Sequence, residues 1–116
     1  MKLKVLLLTL TMLSKNTISL SQIKADDILG IWLTSGKEPA KIQIYKSGQK
    51  YYGKIVWLRN PLDNGKPKLD INNPDKIKRN QQILGLTILI GFEFDGDQWN
   101  EGKIYDPESG KIYSCQ

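Results

Sequence analysis

The chain has 116 residues, 17 of them basic and 12 acidic, with no histidine and one cysteine. Without histidine it lacks the usual general base near neutral pH, the commonest metal ligand, and both the Ser–His and Cys–His nucleophile pairs. The lone Cys115 excludes an internal disulfide and leaves carboxylates alone to complete any zinc site.

At the N-terminus, Met1, Lys2 and Lys4 give a positive start, and residues 5–13 are apolar apart from Thr9 and Thr11. Residues 14–25 are polar and offer small side chains at cutting points. That is the layout of a secretory signal peptide, whose apolar run is too short for a stable membrane span. Residues 1–25 are therefore expected to be a leader, with a retained membrane anchor as the rival reading. Residues 26–116 form a single β domain, exported to the periplasm or secreted, with no stable transmembrane span after leader removal. The leader holds four basic residues (Lys2, Lys4, Lys15, Lys24) and no acidic ones, so 13 basic and 12 acidic groups remain. A net charge of +1, not the +5 of the whole chain, argues against nucleic acid as a partner. Cys115 lies too far from the leader to be a lipoprotein anchor. It reads as a strand cysteine without special role, or as an exposed thiol that pairs with another chain.

The pattern after residue 25 is β. Residues 28–34 are rich in β-branched and aromatic side chains, and residues 40–46 alternate, with Ile42 and Ile44 on one face and Lys41 and Gln43 on the other. Ser47-Gly48-Gln49 is a turn, so residues 50–58 return as the second strand of a hairpin. Residues 59–82 contain Pro61, Asn64-Gly65, Pro67 and Asn72-Asn73-Pro74-Asp75, too many turn signals for a strand. A short helix is expected around residues 75–80, with Pro74 at its start. A loop of this length in a compact domain is usually functional or disordered.

Residues 84–94 give the clearest alternation, placing Leu84, Leu86, Ile88, Ile90, Phe92 and Phe94 on one face. Leu89 is the apolar exception on the other face, and Gly91 is a candidate bend. Asp95-Gly96-Asp97 turns the chain into residues 98–105. A second turn, Asp106 to Gly110, then separates two near-copies, Gly102-Lys103-Ile104-Tyr105 and Gly110-Lys111-Ile112-Tyr113. These elements predict an all-β, antiparallel meander curling into a small barrel or half-barrel, with one long polar loop. The final strand has nothing to cover its outer edge, so the expectation is either a domain shortened at its C-terminus or self-association through that edge.

Several stretches together resemble the exported bacterial family called domain of unknown function 2147. They are Asp27-Ile28-Leu29-Gly30-Ile31-Trp32-Leu33-Thr34, Gly53-Lys54-Ile55-Val56-Trp57-Leu58, Gly65-Lys66-Pro67, and Asp70 with Asn72-Asn73-Pro74-Asp75. Leu84-Gly85-Leu86, Gly91-Phe92 and Gly102-Lys103-Ile104-Tyr105-Asp106-Pro107 with Gly110-Lys111 and Tyr113 complete the match. The resemblance implies a leader-bearing β domain of lipocalin-like shape, and no reaction. Family members often carry a cysteine pair where Ser47 and Tyr52 stand here, and tend to continue past the position of Cys115 with further strands. Gly30-Ile31-Trp32 also resembles the Gly-x-Trp of lipocalin first strands, where the tryptophan plugs the closed end.

Trp32, Tyr51, Trp57, Trp99 and Tyr105 are the candidate lining of an apolar pocket, though a domain this small needs most large side chains for its core. The loop residues Lys66, Asp70, Asn72, Asn73, Asp75 and Arg79 form the most polar constellation. Their spacing does not fit a calcium loop, because Pro74 and Asp75 fall where a ligand and a glycine are needed; capping of turns is the simpler role. Glu93, Asp95, Asp97, Glu101, Asp106 and Glu108 leave a carboxylate-dependent hydrolase as the remotest reading. The expectation is thus a non-catalytic domain that needs no cofactor or metal and binds a small apolar ligand or an envelope component. The alternative is a structural module that pairs through its exposed edge.

Overall fold

Period-two alternation extends the chain, and glycine-bearing turns fold it back on itself. The computed structural model describes residues 11–12 and 23–116. The strands are β1 (Thr11–Met12), β2 (Gly30–Leu33), β3 (Ala40–Ser47), β4 (Lys50–Leu58), β5 (Leu62–Asp63), β6 (Lys66–Pro67), β7 (Thr87–Asp95), β8 (Gln98–Asn100), β9 (Lys103–Asp106) and β10 (Lys111–Ser114). Two 3-10 turns, Ala25–Ile28 and Lys76–Asn80, are the only helical pieces among the described residues. One antiparallel sheet runs in the order β1-β2-β3-β4-β7-β9-β10, with β8 also on β7 and the hairpin β5–β6 standing apart. The expected meander is present, and among the described residues it forms a half-barrel, in which β10 pairs with β9 alone and does not reach the opposite edge. Most of the expected leader lies outside the described residues. Of its strand β1, Thr11 stands opposite Leu33 and Met12 opposite Trp32.

The inner face follows the sequence pattern in β3, where Ile42 and Ile44 are buried and Lys41 and Gln43 face the other way. Ile42 lies opposite Ile55 and Ile44 opposite Gly53 across the hairpin. A Cβ at Gly53 would stand 2.8 Å from Cδ1 of Leu89, so only glycine lets that leucine lie across β4. Ile104, fully shielded from solvent, joins this cluster from β9. Each such isoleucine contributes roughly 1.5–3 kcal/mol by leaving water.

Strand β7 departs from strict alternation. Leu89, the apolar exception, is buried in the core, while Ile90, expected inside, is 36% exposed. The cause is two extra residues in β7, each a bulge. Between Thr87, which faces Lys54, and Leu89, which faces Gly53, one turns Leu89 inward; between Leu89 and Phe92, which faces Tyr51, lies the other. Gly91 absorbs that residue at φ 68°, returning Phe92 to the inner face. Against β8 and β9 the register is unbroken, because Glu101 makes a matching bend at φ 62° beside it. Phe92 then lies over Gly102, where any side chain would collide with its ring.

Candidate functional site

The two ends of the half-barrel are built differently. At one end the first 3-10 turn (Ala25–Ile28) is held by three aromatic side chains. The indole N–H of Trp32 donates to the Ile28 carbonyl (2.8 Å), that of Trp99 to the Ala25 carbonyl (2.9 Å), and the Tyr51 hydroxyl to Asp26 Oδ1 (2.6 Å). Lys46 Nζ also reaches Asp26 at 3.3 Å. The Tyr51 and Lys46 hydrogen bonds hold the Asp26 carboxyl below its usual range. Large side chains fill this end: Phe94 and Trp99 pack with ring centroids 5.0 Å apart.

The other end is open. There the β2–β3 loop, the β9–β10 turn and the long loop from residue 59 to 86 surround a cavity of about 550 Å³. Its apolar wall comes from Ala40, Ile42, Ile55, Leu58, Ile83 and Ile104, and Tyr105 and Tyr113 add aromatic surface. Charged groups mark the rim, with Glu38, Lys68 and Arg59 on one side and Asp106 and Glu108 on the other. The volume falls in the range of small-molecule sites, and an apolar wall with a few polar groups is their usual composition.

The long loop fastens both rims. Glu38 Oε1 accepts hydrogen bonds from Lys68 Nζ and Asn60 Nδ2, each at 3.2 Å, tying the β2–β3 loop to it. These bonds, that from Lys68 foremost, lower the Glu38 pKa. On the far side, Asn72 Nδ2 donates to the carbonyls of Pro107 (3.2 Å) and Glu108 (2.9 Å). The Asn72 backbone rests on Gly110, where a side chain would strike its carbonyl.

Beneath this contact lies Asp70, 0% exposed. Its Oδ1 accepts from the Tyr105 hydroxyl (2.7 Å), and its Oδ2 from Asn73 Nδ2 (2.8 Å) and Gln81 Nε2 (3.4 Å). A buried carboxylate is tolerable only with such donors around it. Burial, together with this acceptor, drives the Tyr105 pKa well above the ordinary tyrosine value, so its hydroxyl stays protonated and donating. The loop's other polar residues act locally. Asp75 caps the second 3-10 turn (Lys76–Asn80) by accepting from the Ile77 N–H (3.1 Å), and Arg79 Nε closes the loop on the Asn73 carbonyl (2.7 Å). Lys66 lies exposed in the β5–β6 hairpin. Among the described residues, no three carboxylate or thiol groups come together as a metal site would require.

Of the aromatic candidates only Tyr105 borders the cavity. Trp32, Tyr51 and Trp99 gather at the opposite end, where they bind the N-terminal turn. Trp57 is 40% exposed, with Lys41 Nζ 5.0 Å from its ring centroid. Of the polar candidates, Asp70 and Asn73 meet in one cluster, together with Tyr105. The sequence reading passed over Ala40, Leu58 and Ile83. Extending the β3 alternation back by two residues places Ala40 inward beside Ile42, and the hairpin register sets Leu58 opposite it. Cys115 is half-buried beside the core, and burial raises its thiol pKa.

Residues 30–116 match the model of a family described as an uncharacterized protein conserved in bacteria, DUF2147. No curated protein matches the chain. Among solved structures it is similar to a Helicobacter pylori protein, HP1028, described as belonging to the lipocalin family. The TM-score is 0.66 and the identity 24%, over 84% of this chain and 62% of that one. The chain thus spans less than two thirds of that protein's length, and the likeness is one of fold.

Proposed function

The chain belongs to the uncharacterised bacterial family DUF2147, and from that premise we propose that it is a non-catalytic binding protein that takes a small, largely apolar molecule into the open end of its half-barrel. The cavity of about 550 Å³, walled by aliphatic side chains and framed by polar loops, carries this reading. Apolar surface of the ligand would leave water against Ile42, Ile55 and Ile104, worth roughly 25 cal/mol per Å² buried. The long loop, bonded to both rims, would set access. We propose further that the protein acts in the periplasm or outside the cell after losing a leader.

Native mass spectrometry of protein purified from its own host tests the main reading, with co-purified ligand as the expected result. Ala40→Trp, which puts an indole into the cavity beside Ile42, is expected to weaken binding of an apolar fluorescent probe at least tenfold. Unchanged probe affinity in that variant would overturn the assignment. A second reading rests on β10, whose outer edge has no partner strand among the described residues and whose Ile112 is exposed. Such an edge can accept a strand from another chain. Concentration-dependent oligomers that disappear when proline is placed in β10 would support it.

A further inference from the structure

The net charge of +1 over residues 26–116 conceals a division. The long loop, residues 59–82, carries six basic residues against three acidic, while the remainder carries seven against nine. One of the loop's acids, Asp70, is buried and so absent from the surface. The second 3-10 turn reads Lys76-Ile77-Lys78-Arg79, and its Ile77 is 87% exposed, the most exposed large apolar side chain among the described residues. Ile71, at the start of the same loop, is 65% exposed. Exposure of this degree in a mobile tail would mean little. Here the Asp70–Tyr105, Asp75–Ile77 and Arg79–Asn73 bonds fix the backbone that displays both side chains.

We propose that this loop docks on the surface of an anionic lipid bilayer. Two separate, outward isoleucines among cations form no groove for a partner's side chains. They suit insertion between lipid headgroups, with Lys76, Lys78 and Arg79 meeting the negative charge. Neither Lys76 nor Lys78 has a carboxylate partner among the described residues. The negative balance of the remaining surface favours an orientation with the loop facing the membrane. This inference stands apart from the cavity and does not need it to hold a ligand.

The test is co-sedimentation with vesicles of phosphatidylcholine alone or mixed with phosphatidylglycerol. All chains share the same N-terminus, so its apolar run and its four lysines contribute equally to each, and the loop's share is read from the difference between wild type and variant. Wild-type protein is expected to bind the anionic vesicles at least tenfold more tightly than the neutral ones, with the difference lost at high salt. Lys76→Glu with Lys78→Glu should weaken anionic binding at least tenfold relative to wild type, at roughly fivefold or more per charge. Ile77→Ser should weaken anionic binding severalfold while sparing the salt dependence. All three positions are exposed, and an unchanged circular dichroism spectrum checks that the variants fold. Equal binding to both vesicles, or a charge-reversed variant that binds as wild type, overturns the proposal. Failure of the wild-type protein to bind any vesicle overturns it in favour of an acidic protein partner.

Discussion

The closed end and the open end of the half-barrel solve one problem with opposite materials. Three large aromatics close the first by reaching main-chain carbonyls and one carboxylate of a four-residue turn. The second is bordered by a long loop bonded through small polar side chains, with isoleucine, leucine and alanine left to line the space. Indoles fill volume and satisfy their single N–H in one contact. Carboxamides and carboxylates fix backbone while occupying little, and so leave a cavity. Where aromatic bulk is spent decides which end keeps a cavity.

Removing the buried acceptor should break this contrast most strongly. Asp70→Ala leaves the Tyr105 hydroxyl and the Asn73 amide without their partner, and is expected to cost about 3 kcal/mol in urea unfolding. It should also free the loop, seen as faster amide hydrogen exchange over residues 70–81. A loss below ~1 kcal/mol would mean that the loop is held by something else. At the closed end, Trp99→Phe retains most of the packing and removes one hydrogen bond, so about 1 kcal/mol is expected, with exchange faster at residues 25–28 and unchanged in the loop. The smallest effect is that of acid. Asp26 has a folded pKa below its unfolded value, so its contribution is present above about pH 4 and lost as pH falls through the folded value. Asp26→Asn should flatten that acid limb of a pH–stability profile by lowering stability slightly at neutral pH, and leave strongly acidic pH almost unaffected.

How far each end could be read from sequence follows the same division. Hairpins, turns and the Asp75 cap are local, and residues 40–58 and 75–80 fold as their patterns predict. The aromatics were visible as cavity candidates, yet nothing local tells an indole which end it will face. Trp99 meets Ala25 across 74 residues. Asp70 reads as a solvated turn residue because its neighbours are Leu69, Ile71 and Asn72, and its burial depends on Tyr105 of a distant strand. In β7 the warning was present: Leu89 broke the alternation two residues before Gly91, where the bulge corrects it.

The bond between Asp70 and Tyr105 also constrains how the molecule reaches its native state. It joins residues 35 apart, so it forms only once the intervening segment has surrendered its loop-closure entropy. We expect docking of the long loop to come late in folding. Substitutions at Asp70 should quicken unfolding and barely slow refolding, which leaves the mouth of the cavity as the first part of the domain to open.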